Sequence, residues 1–354
     1  MASIRPSTLL LRVDGFGLQD CLATGPGSAI LGSLLFSALF PAPMSVKFLL
    51  RVAGTLLLAW AAAAACVALH TPLPWMLGPL VATSVLSMAG APTESWGPLR
   101  NGGQWAIGAA LGLYFTPEVS ALVGSLWWAI VLGIGWALLL GWGFGAWLYR
   151  LHAPRMHGVP ASMLRSTSYF AGAIGAASEM TLLSERENAR TDLVAASHSL
   201  RLLIVTITIP FALQWSGLQG LDILIPTVRD VSWPGLALLA LLTGAGALVM
   251  DRLGRANPWF MGAMLVSMAV TMAGLHLSAV PQAVVNAAQL VIGVSLGVRF
   301  RAEFLHTAPR WLASVAVGTF GLMGICAAFA AVLAWATGLP WVTLLLGTSP
   351  GGIT

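Results

Sequence analysis

A long internal repeat constrains this sequence more than any other feature. Five residues recur at an offset of 185 positions, and three residues just upstream recur at an offset of 184. The matched pairs are Gln104/Gln289, Gly108/Gly293, Gly112/Gly297, Phe115/Phe300, Glu118/Glu303, Pro74/Pro258, Trp75/Trp259 and Gly78/Gly262. Matches at so nearly constant an offset do not arise from composition alone. In an apolar chain, a repeat of this length is typical of a duplicated membrane domain, a common plan among secondary transporters.

The composition indicates a protein that uses lipid as its solvent. Hydrophobic residues make up 58% of the 354 residues and charged residues only 8%, whereas an ordinary soluble domain has about 25% charged residues. The net charge of +5 could indicate nucleic-acid binding in a soluble protein. Here the arginines lie singly between apolar segments, which is typical of the positive-inside bias of membrane proteins. We therefore predict the lipid bilayer as a partner and no nucleic acid.

The apolar segments predict an all-α membrane protein. A transmembrane helix needs about 20 apolar residues, and fewer where it is buried among other helices. Stretches of about this length lie at 48–69, 73–92, 100–115, 119–149, 192–214, 232–250, 258–276, 284–300 and 310–337. Two Gly-rich segments, 169–177 and 344–354, are too short to cross and contain helix breakers. We expect about nine transmembrane helices and two short Gly-rich re-entrant segments.

The basic residues predict how the two repeats are oriented. If segment 169–177 enters the membrane and returns on the same side, nearly all basic residues fall on one side. Those residues are Lys47, Arg51, Arg100, Arg150, Arg155, Arg165, Arg252, Arg255, Arg299, Arg301 and Arg310, with Arg229 as the exception. The loops near 70–72, 116–118, 277–283 and 338–340 hold no Lys or Arg. The positive-inside rule then predicts two inverted repeats and a cytoplasmic N-terminus in a bacterial inner membrane.

The repeat also divides the chain into parts. We predict one membrane repeat over 44–215 and a second over 228–354. Residues 1–43 have no counterpart, so they are an N-terminal extension or the result of a start codon assigned too early. A secretory signal peptide is a less favoured third alternative. The second repeat stops at the position where the first continues with Glu179, Met180 and a further helix. We therefore expect a second repeat that is incomplete at its C-terminal end.

Several motifs resemble the AbrB family of bacterial membrane proteins. They are PWMLGPL at 74–80, GQWAIGAALGLYFTPE at 103–118, SEM at 178–180, DLVAASHSLRLLIV at 192–205 and SPGGIT at 349–354. The resemblance covers about residues 46–354 and implies two copies of one module, in which a Pro-Gly-Gly turn leads into a Glu-Met pair. This sequence has Ile-Gly-Ala at 174–176 in place of the first Pro-Gly-Gly. Family members are called regulators of gene expression, putative ammonia monooxygenases, or transport-like membrane proteins.

The candidate substrate-binding residues lie beside the two Gly-rich segments. A charge inside a membrane segment is costly and often functional, so Arg201 and its neighbour His198 are candidates, together with Glu179 just after the first segment. Glu179 and Arg201 could hold an anion or a proton-coupled substrate, or they could form a structural ion pair. Either interpretation predicts that the two charges approach each other.

Backbone amides freed in the Gly-rich turns could bind an anion, which adds Gly175, Gly351 and Gly352 to the candidate set. The alternative for these glycines is a tight turn that serves helix packing. The glycine pairs Gly108/Gly112 and Gly293/Gly297 are expected to permit close approach between helices.

An enzyme is the least favoured class. The six histidines show no HxH or HxxH spacing, and Cys21, Cys66 and Cys326 are far apart. We therefore predict no metal site, no disulfide framework and no cofactor. The favoured function is a transporter-like protein that moves or senses a small solute, which the sequence does not identify. The alternative is a membrane-bound regulator of gene expression that acts through a partner and does not bind DNA. Such a regulator would need a cytoplasmic docking surface, for which the sequence offers two small loops, at 150–168 and 181–191. A second copy of the chain, in a homo-oligomer, is a further candidate partner.

Overall fold

The computed structural model describes residues 45–156, 158–175, 177–217, 230–300 and 308–350. By their contacts, the described residues from 50 onward form one unit, and the packing given below lies within it. The described residues form helices joined by short turns. The helices are α1 (Val46–Ala68), α2 (Pro74–Met88), α3 (Gly97–Gly112), α4 (Pro117–Ser125), α5 (Trp127–His152), α6 (Ala161–Gly172), α7 (Ala177–Arg186), α8 (Thr191–Ser216), α9 (Trp233–Arg252), α10 (Pro258–Met272), α11 (Gln282–Gly297), α12 (Pro309–Thr337) and α13 (Trp341–Thr348).

Five of these helices are long and apolar enough to cross a membrane, namely α1, α5, α8, α9 and α12. Helices α3 and α4 together also reach this length, but they meet at a bend of 82°. Three shorter apolar helices, α2, α10 and α11, have 15, 15 and 16 residues. The described part of the chain therefore has the apolar helices of a multi-pass membrane protein, as the composition predicted. Five helices, or six spans if α3 and α4 count as one, are long enough to cross, so the expected total of about nine stays a prediction.

Every apolar stretch predicted from the sequence contains a helix, with two differences in detail. The stretch 119–149 is divided at Leu126, whose φ of −104° and ψ of 19° end α4 and precede α5. No Gly or Pro occupies this break, so the pattern of residues did not reveal it. The segment 150–168, expected to be a loop, contains most of α6, which begins at Ala161. Helix α6 is short and has polar residues on one side, so hydropathy alone did not distinguish it from a loop.

Glycines bring four helices into close contact. A Cβ atom at Gly108 of α3 would overlap the carbonyl oxygen of Phe260 in α10. A Cβ at Gly293 of α11 would lie 2.6 Å from the carbonyl oxygen of Met76 in α2. The sequence-based expectation that these glycines permit close helix approach is confirmed.

The same contacts occur one turn further along each pair of helices. A Cβ at Gly112 would lie 2.6 Å from the carbonyl oxygen of Met264, and a Cβ at Gly297 would lie 2.9 Å from that of Leu80. Helix α3 thus packs on α10 through the positions by which α11 packs on α2. The contact partners differ by the repeat offsets of 185 for the glycines and 184 for the carbonyl residues.

A separate apolar core forms where α5, α6, α8 and α12 meet. Its largest fully buried side chain is Trp311 of α12. Other buried members are Leu140, Phe144, Leu148, Leu164, Leu193, Val194, Leu312, Val315, Leu322 and Cys326. On its other side, α8 contacts a smaller cluster that includes buried residues of α2 and α11. Helix α8 is therefore held on two sides, and this fixes the position of Arg201 within the fold.

Candidate functional site

The first Gly-rich segment is a broken helix. Helix α6 ends at Gly172, and Ala173 follows with φ −54° and ψ 141°, outside the helical region. Helix α7 begins at Ala177. The break is held against α5, because a Cβ at Gly172 would overlap the backbone of Gly145. The sequence-based prediction of a helix interruption within 169–177 is thus confirmed at the centre of that segment.

Arg201 binds the end of this broken helix. It is 2% exposed, and its Nη2 donates to the carbonyl oxygen of Ala173 at 2.7 Å. Its Nη1 donates to the carbonyl oxygen of Gly172 at 3.1 Å and, more weakly, to that of Ala171 at 3.4 Å. The last carbonyls of a helix lack partners within the helix. Arg201 therefore caps the C-terminal end of α6 from the neighbouring helix α8.

His198 completes this cap. Nη2 of Arg201 also donates to Nδ1 of His198 at 2.9 Å, so Nδ1 carries a lone pair and the proton lies on Nε2. Nε2 then donates to the carbonyl oxygen of Phe170 at 2.9 Å. The ring is neutral and has a fixed tautomer. His198 and Arg201 lie three residues apart, on one face of α8. Together they bind four successive carbonyls, three in the last turn of α6 and one at Ala173, just after it.

The sequence-based prediction of an ion pair between Glu179 and Arg201 is wrong. Among the described residues, the ion pairs are Arg51 with Glu94 and Arg190 with Asp192. A helix C-terminus carries a partial negative charge, so the end of α6 serves as the counter-charge of Arg201. Glu179 lies in the first turn of α7, where the partial positive charge of a helix N-terminus favours a carboxylate. Each charge is thus balanced by a helix end.

The remaining candidate residues have different positions. Gly175 lies in the break, where a Cβ would meet the side chain of Met180, with the nearest atom at 3.1 Å. Gly351 and Gly352 lie outside the described residues. The second Gly-rich segment is described as far as Pro350, and its first part forms α13. His198, Arg201 and Gly175 therefore gather around one break, and the substrate-binding role of the whole set stays a prediction.

One residue near the site was not found by sequence reasoning. Trp311 of α12 donates from Nε1 to Oγ of Ser197 at 2.8 Å, and that hydroxyl donates to the carbonyl oxygen of Leu193 at 2.6 Å. The Trp311 ring also contacts the ring of His152, with centroids 4.8 Å apart. An indole inside a long apolar helix has no signature that separates it from a lipid-facing tryptophan. Its complete burial is visible only in the folded chain.

In the part of the chain that the structure describes, no group of three or more His, Cys, Asp or Glu side chains is placed to hold a metal ion. Cys66 and Cys326 are free thiols.

Comparison with known proteins identifies the family. The family model described as "Transition state regulatory protein AbrB" matches residues 75–354, which include the α6–α7 break and its cap. The chain belongs to the AbrB family. The resemblance seen in the sequence motifs is thereby confirmed. An AbrB-family relative from Escherichia coli (strain K12), named "Putative regulator AbrB", is 26% identical over 294 residues, which cover 81% of this chain and 80% of the relative. No solved structure matches this chain.

Proposed function

We propose that this AbrB-family protein is a transporter-like protein of the bacterial inner membrane, built from two inverted repeats, that moves or senses a small solute. Its N-terminus would be cytoplasmic. The observation that carries this proposal is the reciprocal packing of Gly108 on Phe260 and of Gly293 on Met76. Because each repeat gives the other the same contact, the two sets of helices are related by an approximate two-fold axis.

The charge distribution supports an axis in the membrane plane. With the α6–α7 segment entering and leaving on one side, the Lys and Arg residues collect on that side in both repeats, as the positive-inside rule requires. Transporters with inverted repeats place their solute site near broken helices at the interface between repeats. The α6–α7 break is such an element, and α13 occupies the corresponding position in the second repeat.

The geometry divides the candidate residues by role. Arg201 and His198 use their polar atoms to bind carbonyls of α6, so we assign them to positioning the break. Glu179 is half-buried in the first turn of α7 and forms no ion pair with a described residue. A half-buried carboxylate beside a break is suited to contact a cationic solute or a coupling proton. We therefore propose Glu179, beside Gly175, as the group that contacts the solute.

A second candidate function is regulation through a partner. It is favoured by the name of the Escherichia coli relative, "Putative regulator AbrB". A regulator would need a docking surface on its cytoplasmic side. The segments expected to supply that surface as loops, 150–168 and 181–191, are partly taken up by α6 and α7. The remaining surface is small, and we place transport first.

The inverted arrangement can be tested with two single cysteines at equivalent turns. His70 follows α1 and Gly254 follows α9, at the repeat offset of 184. In a background without native cysteines, His70→Cys should react with a membrane-impermeant maleimide from the periplasmic side. Gly254→Cys should react only after the membrane is opened. Labelling of both positions from one side would contradict the inverted arrangement.

Transport can be tested with the purified full chain in proteoliposomes. We would measure counterflow and proton flux with a panel of amino acids, carboxylic acids, sugars and ammonium. Glu179→Gln should abolish any flux found, while Glu185→Gln, an exposed acid on the same helix, should leave it unchanged. The regulator alternative predicts no flux with the whole panel. The regulator alternative also makes a prediction for a strain in which the gene is deleted. There, the Glu179→Gln variant should restore gene expression as fully as the wild-type chain does.

A further inference from the structure

A second polar feature lies beside α6, where that helix faces α5. An open cavity of about 760 Å³ lies between α5 and α6. Three charged residues line it, namely Arg150 in the last turn of α5, Arg165 in the first half of α6, and Glu187 just after α7. A cavity of this size is large enough for a small organic group.

The two arginines keep their donor groups available. In the part of the chain that the structure describes, neither guanidinium joins an ion pair or donates a hydrogen bond to another residue. Arg165 lies over the ring of Tyr149, with Cζ 5.5 Å from the centroid. Stacking on an aromatic face restrains the guanidinium without using its N–H groups. Two guanidiniums that line one cavity have the donors needed to bind a phosphate, which arginine binds through paired hydrogen bonds.

Glu187 determines which phosphate-containing ligand the cavity favours. A carboxylate in the same cavity would repel a simple anion, but it would attract a cation attached to the phosphate. The lining therefore complements a headgroup in which a phosphate ester carries an ammonium group.

The cavity also continues onto an apolar, exposed face. Trp142 lines the cavity and is 64% exposed, and Leu138, which is 69% exposed, lies four residues earlier on the same face of α5. The side chains thus change from charged to apolar along the axis of a membrane-length helix. Arg150 is near the end of that helix, where arginines meet lipid headgroups.

We propose that this cavity binds a zwitterionic aminophospholipid. Arg150 and Arg165 would bind the phosphate, Glu187 the ammonium group, and Trp142 and Leu138 one acyl chain. The site requires no transport activity. A lipid bound there would contact α6, whose C-terminal end is capped by Arg201. A soluble phosphate ester with an amino group shares the headgroup chemistry, so the experiment has to separate the two sources.

Native mass spectrometry of the full chain in detergent can measure retained lipid. The probes are dioleoyl phosphatidylethanolamine, dioleoyl phosphatidylglycerol, free phosphoethanolamine and inorganic phosphate. The double variant Arg150→Gln/Arg165→Gln should bind phosphatidylethanolamine at least about tenfold more weakly, because the loss of even one charge-assisted hydrogen bond corresponds to about that factor. The matched control is Arg252→Gln, an exposed arginine in the last turn of α9, which should bind as the wild type does. Glu187→Gln should reverse the preference from phosphatidylethanolamine to phosphatidylglycerol.

Two results would overturn the proposal. The first is equal lipid retention by the wild type and the double Gln variant. The second is displacement of the lipid by millimolar phosphoethanolamine or phosphate, which would make the cavity a site for a soluble ester. If the double Gln variant does not fold, Arg150→Lys/Arg165→Lys keeps both charges but not the planar donors. It should retain lipid at an intermediate level, and full retention would contradict the paired-hydrogen-bond geometry.

Discussion

Leu73 and Asn257 lie 184 residues apart and have the same left-handed backbone conformation, with φ 45° and ψ 53° at Leu73 and φ 47° and ψ 52° at Asn257. Each directly precedes the Pro-Trp pair that opens a helix. Two further pairs of left-handed residues share this separation, His70/Gly254 and Gly90/Gly274. The repeat is therefore present in the turns as well as in the helices.

Leu73 is the strained member of its pair. Asparagine tolerates the left-handed region, whereas it costs a leucine about 1–2 kcal/mol. Leu73 is 45% exposed, so little burial would be lost on its replacement. Leu73→Asn should raise the melting temperature of the protein in detergent, and Asn257→Leu should lower it. His70→Gly, which introduces the residue found at the equivalent position 254, should also be stabilising. A melting temperature of Leu73→Asn below that of the wild type would show that the side chain contributes more than the strain costs.

The glycine contacts between repeats give a second prediction. Gly108→Ala and Gly293→Ala should each lower stability by about 1–3 kcal/mol, because the added methyl group overlaps a backbone carbonyl. Gly102, on the same helix as Gly108, has no atom from a neighbouring helix within 4 Å of the position that an added methyl group would occupy. Gly102→Ala should therefore be neutral or should stabilise by up to about 1 kcal/mol through helix propensity. Equal losses in all three variants would argue against close packing as the cause.

The sequence made the helices and the repeat predictable, because both are encoded in residue types at fixed spacing. It did not reveal the partners of Arg201. Apart from Nδ1 of His198, its acceptors are backbone carbonyls about 30 residues earlier in the chain, and a backbone carbonyl has no residue-type signature. Reasoning from side-chain charges alone therefore paired Arg201 with Glu179. In a fold with broken helices, helix ends can supply the counter-charge that a carboxylate would supply elsewhere.

The contact between Trp311 and Ser197 predicts a measurable coupling. Trp311→Phe removes the indole N–H that Ser197 accepts, and Ser197→Ala leaves that buried N–H without its partner. Each change should cost about 1–3 kcal/mol. The double variant should cost less than the sum of the two, because the same hydrogen bond is lost in both. Additive losses in a double-mutant cycle would show that the hydrogen bond does not contribute to stability.

The cap on α6 gives the last prediction. Arg201→Met removes the donors to Gly172 and Ala173, and each buried carbonyl left unpaired costs about 1–3 kcal/mol. The variant should therefore lose about 3 kcal/mol or more, measured by unfolding in mixed micelles with sodium dodecyl sulfate. Glu179→Gln should stay within about 0.5 kcal/mol of the wild type, because no ion pair is lost.

A double-mutant cycle distinguishes the carbonyl cap on α6 from an ion pair with Glu179 as the role of Arg201. Arg201→Met with Glu179→Gln should be additive, since the two side chains do not share a contact. Arg201→Met with His198→Phe should cost less than the sum, because Arg201 donates to Nδ1 of that ring. If Glu179→Gln instead recovered stability lost in Arg201→Met, an unpaired buried carboxylate would be the cause. The ion pair expected from the sequence would then be real in the membrane, and the carbonyl cap would be secondary.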